Sequence, residues 1–246
     1  MFIQYLSDKP DMTHSAILAA PEAVHPSLWR ASQLAHADTR CIDTGHPALS
    51  GQLPGGGWPG GTLVDLHLQQ PGIGEMRLLR PALAACAERR IVLLQPPHPP
   101  QALALAALGL EPSQLLWLRT TRTADALWAA EQVLRSGSCG ALLFWANHMR
   151  NDNLRRLHLA AQGGETLFFM LRPLAAAQDA SPAPLRLALR PAAGGMNIDF
   201  VKRRGPQREA PLFLPLGSSL LQRHAPLDRP VFASATARGL QPTLVQ

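Results

Sequence analysis

Lysine is almost missing from this chain. Of 23 basic residues, all but Lys9 and Lys202 are arginine. Chemistry that needs a lysine between those two positions is excluded, including the lysine of a phosphate-binding loop. Cysteine is scarce too. Cys41, Cys86 and Cys139 are odd in number, widely spaced and without a CxxC pair. That excludes a disulfide framework and reads as reduced, mostly buried cytosolic thiols. No apolar run reaches 18 residues, so no transmembrane helix is expected. The N-terminal "MFIQYLSDKPDMTH" has no basic segment leading into a long apolar stretch, so no secretory signal is expected either. The nine histidines form no zinc pattern such as HExxH. A cytoplasmic protein without metal or other cofactor is the expectation.

What is there fits a globular chain. At 246 residues and 46% apolar composition it suits one large domain, or a domain with an appendage. Charge is distributed unevenly. Residues 1–171 carry 13 basic and 13 acidic residues, and residues 172–246 carry 10 and 4, so the net charge of +6 sits in the last third. A basic tail suits an acidic partner, nucleic acid or protein. An arginine-biased genome with a solvated tail gives the same composition, and both readings stay open.

Along the chain, "HPSLWRASQLAHA" reads as a short amphipathic helix with Leu28, Trp29 and Leu34 near one face. Gly, Pro and Trp dominate from Gly51 to Gly61, a loop feeding a strand at Thr62–Leu68. A helix follows, with Ile73, Met76, Leu79, Leu83 and Cys86 on one side and a kink expected at Pro81. "RRIVLLQPP", "SQLLWLRT", "GALLFWAN" and "ETLFFMLRP" read as further strands. The helices between them end near Gly109 and Gly137 or begin at a cap, Asn151 or Asp152. This alternation implies an α/β fold with a mostly parallel sheet flanked by helices. "LAAAQDASPAP" reads as a linker or exposed loop, and "PLRLALRPAAGGMNIDFVKRRG" as a β-hairpin with a Gly-Gly turn. The organisation expected is an N-terminal segment (1–40), a core (41–173) and a basic extension (174–246) whose end is irregular or disordered.

The turn "LQQPGIGEMRLL" has the layout of a phosphate loop without its chemistry. Such a loop needs G-x-x-x-x-G-K-[ST] between strand and helix. Aligned on Gly74, Gln69 replaces the first glycine, Glu75 the lysine and Met76 the hydroxyl. Glu75 would face phosphates with the wrong sign, and Arg77 and Arg80 would compensate only in part. The strand that should end in a metal-binding carboxylate ends at Trp145 instead. Gly72 and Gly74 then read as a tight strand-to-helix turn, and the chain as a binding protein rather than an enzyme.

These motifs carry a resemblance. "TGHPALSGQLPGGGWPGGTLVDLHLQQPGIGEMRLLRPALA" looks like the start of a RecA-like core. "LWRASQLA", "LPGGGWPGGTLVDL", "PGIGEMRLLRPALA" and "FVKRRG" resemble the ImuA family of bacterial mutagenesis cassettes. "SQLLWLRTTRTADALWAAEQVLRSGSCGALLFWANH" and "GETLFFMLRP" look much like SulA, a division inhibitor that binds the tubulin-like FtsZ. The long basic extension is the ImuA-like feature. The ImuA resemblance implies a RecA-like fold with a degenerate phosphate loop and an accessory role in SOS-induced translesion synthesis. It implies partnership with an ImuB-type polymerase relative and an error-prone C-family DNA polymerase, contact with RecA, and nucleoid association when acting. By analogy with RecA, Leu28, Trp29 and Leu34 would form a docking helix, unless that helix covers its own core. Lys202, Arg203 and Arg204, with Arg186, Arg190 and Arg208 nearby, are the candidate contacts to a protein partner first and DNA second.

Overall fold

The computed structural model describes residues 40–205 and 208–217. The helix expected at 25–37 and the chain end beyond 217 lie outside the described residues. The described part opens with β1 (Cys41–Asp43), the one-turn α1 (Pro47–Ser50), a 3-10 turn (Pro54–Gly56) and β2 (Gly57–Pro59), which pairs antiparallel with β1. So the stretch expected to be a loop holds a strand. Its composition is that of a turn, and tertiary packing overrides it: Trp58 is buried edge-on against Phe169, with ring centroids 5.3 Å apart.

The central run follows the order read from the sequence. It comprises β3 (Leu63–Leu68), α2 (Glu75–Ala85), β4 (Arg90–Leu94), α3 (Ala102–Ala107), β5 (Leu115–Leu118), α4 (Thr123–Ser136), β6 (Cys139–Trp145), α5 (Asn151–Ala161) and β7 (Leu167–Pro173). A 3-10 segment (Leu174–Gln178) leads to β8 (Leu185–Ala192), β9 (Gly195–Lys202) and β10 (Leu212–Pro215). Eight strands form one sheet in the order β10-β9-β8-β3-β7-β6-β4-β5. The six strands from β8 to β5 are mutually parallel, and β9 and β10 extend the edge antiparallel. The expected hairpin is therefore part of the same sheet.

The connections explain the layers. The path β3–α2–β4–α3–β5 steps outward, and β5–α4–β6–α5–β7 steps back. Connections of one hand place the first pair of helices on one face and the second pair on the other. Accordingly α2 and α3 pack with Val64, Leu66, Leu93 and Phe169, while α4 and α5 pack with Val92, Leu142, Phe144 and Phe168. Strands buried on both faces read as unbroken apolar runs for this reason.

Three local expectations change. Of the expected side of α2, Ile73, Leu79, Leu83 and Cys86 are buried, but Met76 is only half-buried, and Leu78 and Ala82 join the core. Helix α2 runs unbroken through Pro81, whose ring fills the space beside Gly45. The N-cap of α5 is Arg150, without a side-chain hydrogen bond, rather than Asn151 or Asp152. Asp152 lies in the first turn, where a carboxylate gains from the helix dipole.

Candidate functional site

Beyond β3 the chain turns through Gln69–Gly74 into α2. Gly72 (φ 83°) and Gly74 (φ 114°) take left-handed conformations that make the turn tight. The turn forms a small nest of backbone donors at a helix N-terminus, a geometry that ordinarily receives an anion. Here the anion is internal. Glu75 folds back, its Oε1 accepting from the Gly72 N–H at 2.9 Å and its Oε2 from the Gly74 N–H at 3.2 Å. Glu75 is only 4% exposed. Its carboxylate does not look outward; it lies on the N–H groups of its own turn. Gln69 is exposed, Met76 leans on the core, and the Arg77 guanidinium lies beside Gly74 with its Nη1 3.5 Å from the Leu216 carbonyl oxygen.

The carboxyl ends of β3, β4, β6 and β7 enclose a crevice of ≈ 450 Å³ beside this turn, the place where open α/β sheets hold ligands. Its polar lining is amide, hydroxyl and imidazole, with Gln69, Gln95, Thr121 and Asn147 among it, plus Arg172; no carboxylate lines it. Trp145 ends β6 here, its indole Nε1 buried without a partner among the described residues. Gln95 is held at φ 55°, unusual for a residue with a side chain, and its amide donates to the Thr120 carbonyl and hydroxyl at 2.6 and 2.8 Å.

Between the turn and the opposite edge lies a group that sequence reasoning missed. One face of β3 carries Asp65 and His67, both fully buried. Arg172 of β7 donates to Asp65 through Nε and Nη2 at 3.0 and 2.6 Å. Arg186 of β8 brings its Nε within 3.5 Å of Asp65, and its Nη2 donates to the carbonyls of Ala176 and Ala177 at 3.2 Å. The Arg186 Nη2 also lies 3.4 Å from the His67 Nε2, so that nitrogen accepts and the Nδ1 carries the proton without a partner. Burial, the nearby guanidinium groups and only partial relief from Asp65 push His67 down to about 4. The segment expected to be a loose linker covers this face: Ala176 and Ala183 are buried, and its carbonyls hold Arg186. The available signal was the pair of ionisable residues at alternate positions inside the apolar run "LVDLHL".

The basic candidates separate. Arg186 is 8% exposed and belongs to the internal cluster, not to an outer basic surface. Arg190 pairs with Asp199 across the hairpin, and Arg208 donates to the Ala210 carbonyl at 2.8 Å. Lys202, Arg203 and Arg204 do come together, at the amino-terminal edge of the parallel strands. They line a cleft of ≈ 610 Å³ with Arg40, Thr62, His158 and Glu165. Gly60 and Gly61 form its floor; a Cβ on Gly61 would lie 2.3 Å from the Gly164 carbonyl oxygen. The His158 Nδ1 accepts from the Leu63 N–H at 3.3 Å, and burial with Lys202 nearby lowers its pKa. Leu28, Trp29 and Leu34 lie outside the described residues.

Among the described residues no cluster of His, Cys, Asp and Glu is arranged to hold a metal, and no helix is long and apolar enough to cross a membrane. The site thus belongs to an α/β protein with a mostly parallel eight-stranded sheet, an internally filled turn at one edge and a basic cleft at the other. No family model matches the chain. Over 76 residues it is 32% identical to the cell division inhibitor SulA of Edwardsiella piscicida, covering 31% of this chain. It spans 45% of that relative's length, so the likeness is to part of SulA.

Proposed function

We propose that this protein is a non-catalytic member of the SOS response, with a RecA-like core whose phosphate loop has degenerated. It acts as an accessory scaffold in translesion synthesis, through contacts with an ImuB-type polymerase relative, an error-prone C-family DNA polymerase and RecA. The observation that carries the non-catalytic part is the Glu75 carboxylate seated on the Gly72 and Gly74 N–H groups. A nucleotide phosphate would have to displace a buried anion from those donors, without a lysine nearby to repay the loss. The crevice beside the turn offers no carboxylate for magnesium. The accessory role rests on the resemblance of "PGIGEMRLLRPALA" and "FVKRRG" to ImuA. Isothermal titration with magnesium-ATP tests the first part: no heat is expected, and micromolar binding overturns it.

A second reading has its own support. The partial likeness to SulA favours a division inhibitor that binds FtsZ. Pull-down of the full chain with an ImuB homologue, beside FtsZ, separates the two. Retention of the ImuB homologue alone is expected; retention of FtsZ alone replaces the scaffold reading with the inhibitor.

A further inference from the structure

The cleft at the amino-terminal edge of the sheet has a chemistry of its own. Four cations line it, Arg40, Lys202, Arg203 and Arg204, against one carboxylate, Glu165. Arg40 already holds Glu165 at 2.9 Å. Lys202 and Arg204 are exposed and make no ion pair among the described residues. Like charges brought this close cost folding energy unless an anion joins them.

Arg40 and Arg203 are held by their own neighbours. Lys202 ends β9, and the alternation of a strand sends its neighbours to different sides. Lys202 sits near enough to lower the pKa of His158 on the α5 side. Arg203 goes the other way, its guanidinium 4.9 Å over the Phe200 ring and donating to the Gln52 carbonyl. Lys202 and Arg203 therefore stand on different sides of the end of β9.

Which anion fits follows from what the cleft lacks. A protein partner needs an apolar or aromatic anchor seated in a pocket. The lining here offers only Pro182, Pro184 and glycine backbone beside its polar groups. It offers no Trp, Tyr or Phe on which a base could stack either, and the ring of His158 is held by the Leu63 N–H. What remains is a row of N–H and ammonium donors with the Thr62 hydroxyl, suited to phosphodiester oxygens. From this we infer that the cleft binds the sugar–phosphate backbone of a nucleic acid, through Lys202 and Arg204, without reading its sequence. The inference goes beyond the scaffold role and needs none of its partners.

The test uses the full chain alone, with fluorescein-labelled oligonucleotides of mixed sequence followed by anisotropy. A single strand and a duplex serve as separate probes, and binding of either supports the cleft while naming its source. Affinity should be insensitive to base composition and fall steeply with salt. The double variant Lys202→Ala/Arg204→Ala should bind about tenfold more weakly, with the log–log salt slope shallower by about 1.4 to 1.8 for two lost contacts. A second variant, Arg223→Ala/Arg229→Ala/Arg238→Ala, should keep the wild-type salt slope. No binding of either probe by the wild-type chain, an unchanged slope in the first variant, or loss confined to the second overturns the inference. So does competition by polyglutamate as strong as by polyphosphate, which would assign the cleft to an acidic protein. Failure here leaves the pull-down and the nucleotide titration unaffected, so the scaffold reading stands or falls separately.

Discussion

The two ends of the central sheet treat charge in opposite ways. At the carboxyl edge the charges of the turn and its crevice are met from within: Glu75 lies on the turn after β3, and Arg172 donates to Asp65. At the amino edge Lys202 and Arg204 stand exposed around an open cleft. In the first arrangement the fold supplies both partners of each charge pair. In the second the fold supplies the cations and leaves Lys202 and Arg204 without an ion pair among the described residues. If that contrast is real, changing a charge at or below the carboxyl edge should cost folding, and changing one at the amino edge should cost binding only.

The largest effect is expected at Asp65. Asp65→Ala leaves the buried guanidinium groups of Arg172 and Arg186 without their carboxylate. Breaking a buried pair from one side costs about 3–5 kcal/mol, which urea denaturation would read directly. Adding Arg172→Met and Arg186→Met to Asp65→Leu should restore much of that stability, because removing all the charges together removes the desolvation penalty as well. If Asp65→Ala unfolds no more readily than the wild type, the cluster is not held as described.

The same cluster should make stability depend on pH. His67 titrates near 4 in the fold against an ordinary 6.5. Its folded pKa is depressed, so the unfolded chain takes up a proton first as pH falls. The full contribution is present above pH 6.5 and is lost progressively between 6.5 and about 4. A shift of this size is worth on the order of 3 kcal/mol. His46 and His158 are lowered too, both by burial first, and act in the same direction. His67→Gln should flatten the melting-temperature profile in that window without removing the remaining slope. An unchanged profile would mean that His67 is not held neutral.

The elements from β3 to β9 were legible because each of these strands and helices carries its own period, whereas β1, β2 and β10 are short and were not read. Apolar runs bounded by Pro and Gly marked β3, β4, β6 and β7, and glycine at a left-handed C-terminus marked the end of α4 at Gly137. Pairs across the sheet were not legible. Nothing in the local sequence connects Asp65 to Arg172, which are 107 residues apart, or tells that Arg186 is buried while Lys202, its partner across the strands, is exposed. The phosphate-loop comparison found Glu75 as a misfit but not its role, because a substitution pattern gives charge and position without conformation. Only the rotamer that folds the carboxylate onto Gly72 and Gly74 shows what Glu75 does there.

A smaller effect is expected when that carboxylate is removed. Glu75→Ala leaves two N–H groups of the turn without their acceptor, a loss of about 1–3 kcal/mol. The vacated nest should then respond to added anions. Phosphate at tens of millimolar should raise the melting temperature of the variant more than that of the wild type, since a ligand that binds only the folded state stabilises it. Equal shifts in both proteins would mean the turn collapses when Glu75 is lost, and that its shape depends on the carboxylate.

The smallest effect should fall at the amino edge. Lys202→Ala/Arg204→Ala should change unfolding stability by no more than about 0.5 kcal/mol, the ordinary range for surface substitutions. The sign should favour the variant slightly at low salt, because two like charges leave a crowded cleft and no ion pair among the described residues is broken. Chemical denaturation at two ionic strengths reads both the size and the sign. A loss comparable to that of Asp65→Ala would show that Lys202 and Arg204 are structural after all. The two ends of the sheet would then be alike, and the cleft would be another place where the fold satisfies itself.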